Sequence, residues 1–366
     1  MPAYDLIDSM WNHFGSSSIY ARPKNHLPSL ESLVSCLARI PTTFPHDVIY
    51  AFCSAARDGT EFPLNYDDDP RNLFIHFVNH CIQTSQSIDI ICRHWAPPLK
   101  VDGKQASLPS WMSSIENGPF GARYNLITRL NGDSLVGRPD KKTIYDASKG
   151  SVGAAMFSIL DIGTDFAIFM TVSGFVLGTI QRLTPSSSGG HIPVEALDML
   201  ARKESTVFTV PDCLWRSLVA DRDQSGTLTP GWYQSACLNW LHNGQTRKSM
   251  PLENLSEGHP AQALEYLQRV TAVVWNRCAV EVRALHGSLL VGLVPSTARA
   301  GDVVCILDGC SVPVVLRRTE KKELPREYQT KAWDVIGESY IHGMMDGEAM
   351  RLKHTHFVES REFQLV

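Results

Sequence analysis

Three titratable residues near the end of the chain are the strongest candidates for chemistry. His342, Asp346 and Glu348 share one short segment, and Gly343 and Gly347 bracket its turn. Histidine is the side chain that titrates nearest neutrality, so His342 is the natural acid or base, and a neighbouring carboxylate could fix its tautomer. The spacing predicts a catalytic proton-transfer site. A buried polar network that holds the turn is the alternative.

Several other residues are predicted to bind a substrate near this turn. Trp333 and Tyr340 are close to it in sequence, Met344 lies within it, and Trp111 follows a Leu-Pro-Ser step. Large aromatic and thioether side chains commonly line apolar ligand pockets, although packing in the core is the alternative for each of them. The tryptophans and methionines that could line such a pocket are Trp111, Trp215, Trp240, Trp275, Trp333, Met156, Met170, Met344 and Met345.

Arg317 is the basic member of the predicted binding group. It ends a Pro-Val-Val-Leu-Arg strand, and Asp302 lies at the start of an earlier strand of the same β-rich region. If the two side chains form a buried pair, their role is structural. If Arg317 faces a cavity instead, its planar guanidinium would bind an anion or an enolate.

The sequence contains no convincing metal or cofactor motif. Residues 221–226 open like a calcium loop, but Trp232 occupies the twelfth position, where a bidentate Glu is needed. His76 and His80 have the spacing of helical zinc ligands without an acidic residue between them or a further ligand nearby. The chain also lacks a P-loop, a dinucleotide fingerprint and a serine-hydrolase elbow. We therefore predict no metal and no cofactor.

Composition indicates an ordinary globular protein. Hydrophobic residues make up 43% of the chain, charged residues 20%, and the formal net charge is −4. Nucleic-acid binding needs clustered Lys and Arg, which are missing. The nine cysteines form no CxxC pair, which favours buried reduced thiols. The most apolar stretch, 166–180, is too short to span a bilayer. We predict a cytoplasmic protein that binds a small-molecule substrate, without nucleic acid or membrane; the oligomeric state stays open.

Apolar periodicity predicts an α+β fold. We expect helical layers packed on a small antiparallel sheet, or on a partly closed barrel, in the C-terminal third. The regions are 1–150, mainly helical; 151–276, a β-hairpin with helices; 277–350, a β-rich unit; and 351–366, a tail. The predicted helices are 4–14, 29–40, 67–85, 193–202, 211–220, 231–241 and 260–276, and the β segments are 152–183 and 280–340.

Several motifs of the chain resemble, in their order, those of the fungal heterokaryon-incompatibility (HET) domain family. The final block of that family is similar to Gly292-Leu-Val-Pro, Gly301-Asp302, residues 313–317 and the segment from Tyr340 to Glu348. Earlier blocks resemble residues 47–51, 108–111 and 215–222. The resemblance implies a lineage, but a shared fold does not by itself imply an activity.

The same resemblance implies which half of the family is present. The front half of HET proteins is similar to Toll/interleukin-receptor modules and is thought to deliver cell death. It should precede Phe44, where too few residues are available for a domain of that size. We therefore expect the C-terminal half only, and we carry over no NAD-cleaving chemistry.

Two functions follow from these observations. The first is a cofactor-independent enzyme of fungal natural-product biosynthesis, which would cyclise, isomerise or dehydrate its substrate by acid–base and shape catalysis in an aromatic pocket. The second is a protein-binding module of fungal non-self recognition without catalytic activity. The missing effector half favours the enzyme, because a chain without it has no obvious means of killing a cell.

Overall fold

The structure, a computed structural model, describes residues 27–37, 44–101, 104–115, 134–140, 143–163, 166–187, 191–201, 210–243, 249–251, 261–355 and 358–366. Within these ranges the chain forms nine α-helices and a nine-stranded mixed sheet, which confirms the α+β prediction. The helix predicted at 4–14 lies outside the described residues. No helix in the described part combines the length and the apolarity needed to cross a membrane.

The first helices lie where the apolar periodicity predicts them. They are α1 (Leu30–Leu37), α2 (Asp47–Cys53) and α3 (Pro70–Ser85). α3 begins at its proline because the Asp69 side chain accepts a hydrogen bond from the Arg71 backbone N–H at 2.8 Å, which caps the first turn. Its buried face includes Phe74 and Phe77, which both contact the Trp95 ring.

Six further helices lie beyond residue 193 in the described part of the chain. The first four of them match the predicted helices to within a few residues at each end. These helices are α4 (Val194–Leu200), α5 (Asp212–Leu218), α6 (Trp232–Asn243), α7 (Ala261–Val274), α8 (Arg326–Gln329) and α9 (Glu348–Thr355).

Nine of the thirteen described strands form the main sheet, and the others form two two-stranded sheets, β1–β2 and β5–β6. In chain order the strands are β1 (Lys100–Val101), β2 (Lys104–Gln105), β3 (Met156–Asp161), β4 (Phe166–Leu183), β5 (His191–Pro193), β6 (Ser249–Pro251), β7 (Arg277–Ala284), β8 (Leu289–Pro295), β9 (Val303–Leu307), β10 (Val314–Arg318), β11 (Ala332–Glu338), β12 (Tyr340–Ile341) and β13 (Arg361–Leu365).

The main sheet closes on itself through its longest strand. Its order is β12-β8-β7-β4-β13-β11-β10-β9, and β3 also pairs with β4. Because β4 additionally pairs with β9, the strands β4, β13, β11, β10 and β9 form a closed ring. The 18 residues of β4 allow it to pair with four different strands along its length.

Two details of the sheet differ from the prediction. The sheet is mixed rather than antiparallel, because β11 and β13 run parallel. The segment predicted as a tail, 351–366, instead contains α9 and the ring strand β13. The reason is that Phe363 and Leu365 alternate with polar residues and are fully buried, so the final residues complete the core.

Successive side chains of the ring strands point to opposite faces of the sheet, and both faces are buried. On the first face, side chains from all five ring strands join the large core that also contains the helices. They include Val172, Cys305, Leu316, Trp333 and Phe363. The second face carries a smaller cluster shared with β7, β8 and β12. The described cysteines carry free thiols and most of them are buried.

Candidate functional site

Two segments that are distant in sequence meet around the predicted catalytic turn. Ser217 of α5 faces the Tyr340 hydroxyl, and Arg222, just beyond α5, reaches Asp346 with an Nη2–Oδ1 distance of 2.6 Å. The second pair spans 124 residues of sequence. We call this region the junction site and define it by Arg216, Ser217, Asp221, Arg222, Tyr340, His342 and Asp346.

The end of α5 has an unusual backbone that aims Arg222 at the turn. Ala220 and Asp221 both adopt left-handed conformations, with φ values of 50° and 52°. A non-glycine residue in this conformation costs on the order of 1 kcal/mol, and the conformation persists only where surrounding contacts hold it. Here Arg216 Nη1 donates to Asp221 Oδ1 at 2.6 Å, and the Tyr145 hydroxyl donates to the Ala220 carbonyl. The surrounding contacts therefore fix this turn in a single conformation.

Arg222 joins three segments of the chain. Its buried guanidinium donates to the Ile144 carbonyl at 3.0 Å, to the Asp221 carbonyl at 2.9 Å and to Asp346 Oδ1. The guanidinium carbon also lies 4.5 Å from the centre of the Tyr145 ring. A planar fork with five donors suits this geometry, which lysine could not reproduce. Arg222 therefore holds the closing turn against the rest of the fold.

The two predicted catalytic carboxylates both make contacts that stabilise the turn. Asp346 pairs with Arg222, although its own side chain is 41% exposed. Glu348 is the first residue of α9, and its Oε2 accepts a hydrogen bond from the Asp346 N–H at 2.8 Å. A carboxylate at a helix start is favoured by the positive end of the helix dipole. These contacts fit the alternative of a polar network, and the catalytic assignment stays a prediction.

His342 and Tyr340 form the part of the site best suited to proton transfer. The Tyr340 hydroxyl lies 3.2 Å from His342 Nδ1, and the His342 N–H donates to the Val291 carbonyl at 2.9 Å. Burial, with smaller contributions from Asp221 and Tyr145, raises the pKa of Tyr340 well above its ordinary value. The phenol therefore stays protonated at physiological pH. The Ser217 side chain lies close to the phenol.

The other predicted binding residues lie in different parts of the structure. Met344 shares the turn with His342 and packs against the second-face cluster. Trp333 contacts the Phe363 ring, with centroids 5.7 Å apart, and Trp111 contacts the Phe157 ring at 5.6 Å. Both tryptophans are buried. The tryptophans and methionines predicted to line a pocket do not all line a single one, because Met156, which is among them, is 63% exposed.

Arg317 takes the structural role of its two alternatives. Its Nε and Nη2 atoms donate to the two oxygens of Asp302, each at 2.8 Å, so the pair is bidentate. Asp302 is buried, and Arg317 also donates to the Thr297 carbonyl at 2.9 Å. This pair connects β10 with the turn that precedes β9 and leaves Arg317 engaged with the protein itself.

Sequence reasoning missed a buried ion pair two residues before Tyr340. Glu338 Oε1 accepts from Arg277 Nη2 at 2.7 Å, and only 2% and 7% of the Arg277 and Glu338 side chains are exposed. Glu338 also accepts from the backbone N–H groups of Leu135 and Val136 and from the Ser134 hydroxyl at 2.8 Å. The signal in the sequence was a carboxylate at the end of a strand that also contains Trp333, Val335 and Ile336.

The candidate metal motifs have other partners in the structure. In the calcium-like loop, Asp223 Oδ1 accepts from the backbone N–H groups of Ser225 and Thr227, both at 2.9 Å. His80 Nε2 lies 3.4 Å from Asp58, and His76, one turn earlier in α3, is exposed. Across the described ranges, no three His, Cys, Asp or Glu residues are grouped as metal ligands.

The C-terminal part of the chain is similar to a known protein family. Residues 210–366 match the family described as the Het-6 beta-barrel domain. The similarity is to heterokaryon-incompatibility-related proteins. The matched range contains every residue of the junction site together with α5 to α9 and strands β6 to β13. No curated protein and no solved structure gives a significant match to the chain.

Proposed function

We propose that this protein is a recognition module of fungal heterokaryon incompatibility that binds a partner protein and acts in the cytoplasm. The similarity of residues 210–366 supports this proposal. The contacts of the junction site support it as well, because Asp346 and Glu348 stabilise the closing turn. In this account the junction site holds the fold together, and recognition takes place on another surface. No cell-death activity is assigned to the described residues.

The observation that carries the proposal is the exposed edge of β3. Among the described residues β3 pairs only with β4, so its other edge has no strand partner there. Val152, Met156 and Ile159 at or beside this edge are each more than half exposed. An edge strand offers a row of backbone donors and acceptors to which an extended segment of another protein can add. The exposed apolar side chains would then bind side chains of the added strand.

The edge is held in a conformation ready to accept a strand. All six residues of β3 are in register with β4, from Met156 opposite Thr171 to Asp161 opposite Phe166. Phe157 also anchors the strand through its contact with the Trp111 ring. A preorganised edge loses little conformational entropy on binding, which favours affinity. This gives Trp111 a supporting role in recognition, in place of the predicted contact with a small molecule.

Site-specific photo-cross-linking tests the proposal. A benzophenone amino acid is placed at Met156 in the full chain expressed in a filamentous fungus, and at Leu285 as a control. Leu285 is also more than half exposed but lies beyond the end of β7. We expect one protein to be cross-linked from position 156 and not from 285, and its yield to fall at least tenfold when Ile159→Lys is added.

The folded state of each cross-linking variant is checked by its thermal midpoint, which should match that of the wild type. Equal cross-linking from both positions, or a yield unaffected by Ile159→Lys, would contradict recognition through β3.

The Tyr340–His342 pair favours one second candidate, the cofactor-independent enzyme. A buried phenol 3.2 Å from an imidazole nitrogen can donate and receive a proton at one position. The test is to delete the gene and to incubate the purified protein with any metabolite that accumulates. The enzyme predicts conversion that falls roughly 100-fold in His342→Gln and Tyr340→Phe. An unchanged metabolite profile would remove this candidate.

A further inference from the structure

Two arginines on neighbouring parts of the ring share one tryptophan. The Arg318 guanidinium carbon lies 3.8 Å from the centre of a Trp333 ring, and that of Arg361 lies 5.5 Å from a Trp333 ring centre. Arg361 is also 4.8 Å from the centre of the Phe363 ring. Both arginines are exposed at their outer ends, whereas Trp333 and Phe363 are buried. The two charges therefore lie on an apolar, poorly hydrated base.

Strand register explains why both charges lie near the same tryptophan. Arg318 is opposite Trp333 in the β10–β11 pair, and Trp333 is opposite Leu365 in the β11–β13 pair. Along β13, Arg361 follows the alternation of Phe363 and Leu365, which places it on the first face of the ring. Glu362 alternates onto the opposite face and so lies away from the pair.

Among the residues that the structure describes, the pair has no anionic partner. Arg318 donates one hydrogen bond, to the Thr330 carbonyl at 2.7 Å, and the other contacts of both arginines are with aromatic rings. Across the described residues neither guanidinium has a carboxylate within ion-pair distance. Burial, together with the neighbouring charge of Arg361, lowers the pKa of Arg318. Two like charges held together in this way repel each other, and a bound anion would relieve the repulsion.

We propose that Arg318 and Arg361 form a binding site for the phosphate or carboxylate group of a small-molecule anion. Guanidinium forks bind both groups through paired N–H donors, and most of the donors of both arginines are available. The nearby Arg317 differs in this respect, because Asp302 occupies its fork. The site shares no residue with the β3 edge or the junction site, so the anion-binding proposal does not depend on the proposed function.

Calorimetric titration of the full chain tests the anion site. Pyrophosphate and citrate serve as the phosphate and carboxylate probes, and sodium chloride at matched ionic strength serves as the control salt. We expect saturable one-to-one binding of at least one probe. The affinity should fall at least tenfold in both Arg318→Gln and Arg361→Gln, with a smaller loss in Arg318→Lys, which keeps the charge without the fork. Arg351→Gln, at an exposed arginine of α9, should bind like the wild type.

The outcomes of this titration separate the sources of the anion. Binding of pyrophosphate alone identifies a phosphate site, and binding of citrate alone identifies a carboxylate site. A response to sodium chloride equal to that of both probes would show general charge screening and would overturn the proposal. So would probe binding that survives both glutamine substitutions in variants whose thermal midpoints match the wild type.

Discussion

Replacing Arg277 with methionine is expected to lower the free energy of unfolding by about 3–5 kcal/mol, the range found when one partner of a buried ion pair is removed. Both side chains are almost completely buried, so Glu338 would remain in the core without its counter-charge. The backbone N–H groups of Leu135 and Val136 would still bind Glu338 but could not replace a full positive charge. Urea denaturation followed by tryptophan fluorescence measures the change.

A matched control substitution tests whether this loss of stability comes from the burial of the ion pair or from charge pairing alone. Arg182 pairs with Glu281 at 2.6 Å between the adjacent strands β4 and β7, but the Arg182 side chain is 66% exposed. Arg182→Met should therefore change the stability much less than Arg277→Met, because a guanidinium that lies mostly in water adds little to the stability through its ion pair. Similar effects of the two substitutions would show that the buried pair has no special structural importance.

Replacing Arg222 with methionine is expected to cost about 2–4 kcal/mol of stability, because two partly buried carbonyls lose a charged donor. These are the carbonyls of Ile144 and Asp221, which Arg222 binds at 3.0 and 2.9 Å. Methionine keeps much of the side-chain volume, so the effect reports the lost hydrogen bonds and the lost contact with the Tyr145 ring. Thermal and urea unfolding of the purified protein measure it.

Asp346→Asn is the companion substitution to Arg222→Met. Asp346 is partly exposed, and asparagine can still accept a hydrogen bond from Arg222, so we expect a much smaller loss of stability. If Arg222→Met left the stability unchanged while Asp346→Asn abolished an activity, the junction site would be catalytic and its structural role would be wrong.

Local signals in the sequence predicted much of the fold. The helix predicted at 67–85 forms as α3 and begins at Pro70, where a capping carboxylate and a first-turn proline act within a few residues. Apolar alternation likewise indicated β structure in 152–183 and 280–340, where β4 and the later strands form. The closing of the ring could not be predicted in this way. It depends on β13 pairing in parallel with β11, a contact that local periodicity does not encode.

The site was predicted only in part for the same reason. The segment carrying His342, Asp346 and Glu348 was identified from residue types and glycines, but its partners Ser217 and Arg222 come from α5 and the turn after it, 124 residues away in the case of Arg222. Whether Arg317 forms a buried ion pair or faces a cavity likewise depended on the position of Asp302, which lies in the turn before β9. Spacing along the chain indicates candidates, and tertiary contacts decide what each of them does.

We propose that recognition takes place at the β3 edge while the closing turn is structural. A colony-fusion assay between incompatible strains tests it most directly, with the native gene replaced by wild type, by Met156→Lys/Ile159→Lys or by His342→Gln, at matched protein levels. We expect the β3 double variant to lose the incompatibility reaction and His342→Gln to retain it. Loss in His342→Gln with an intact reaction in the β3 variant would contradict the account and favour chemistry at the turn.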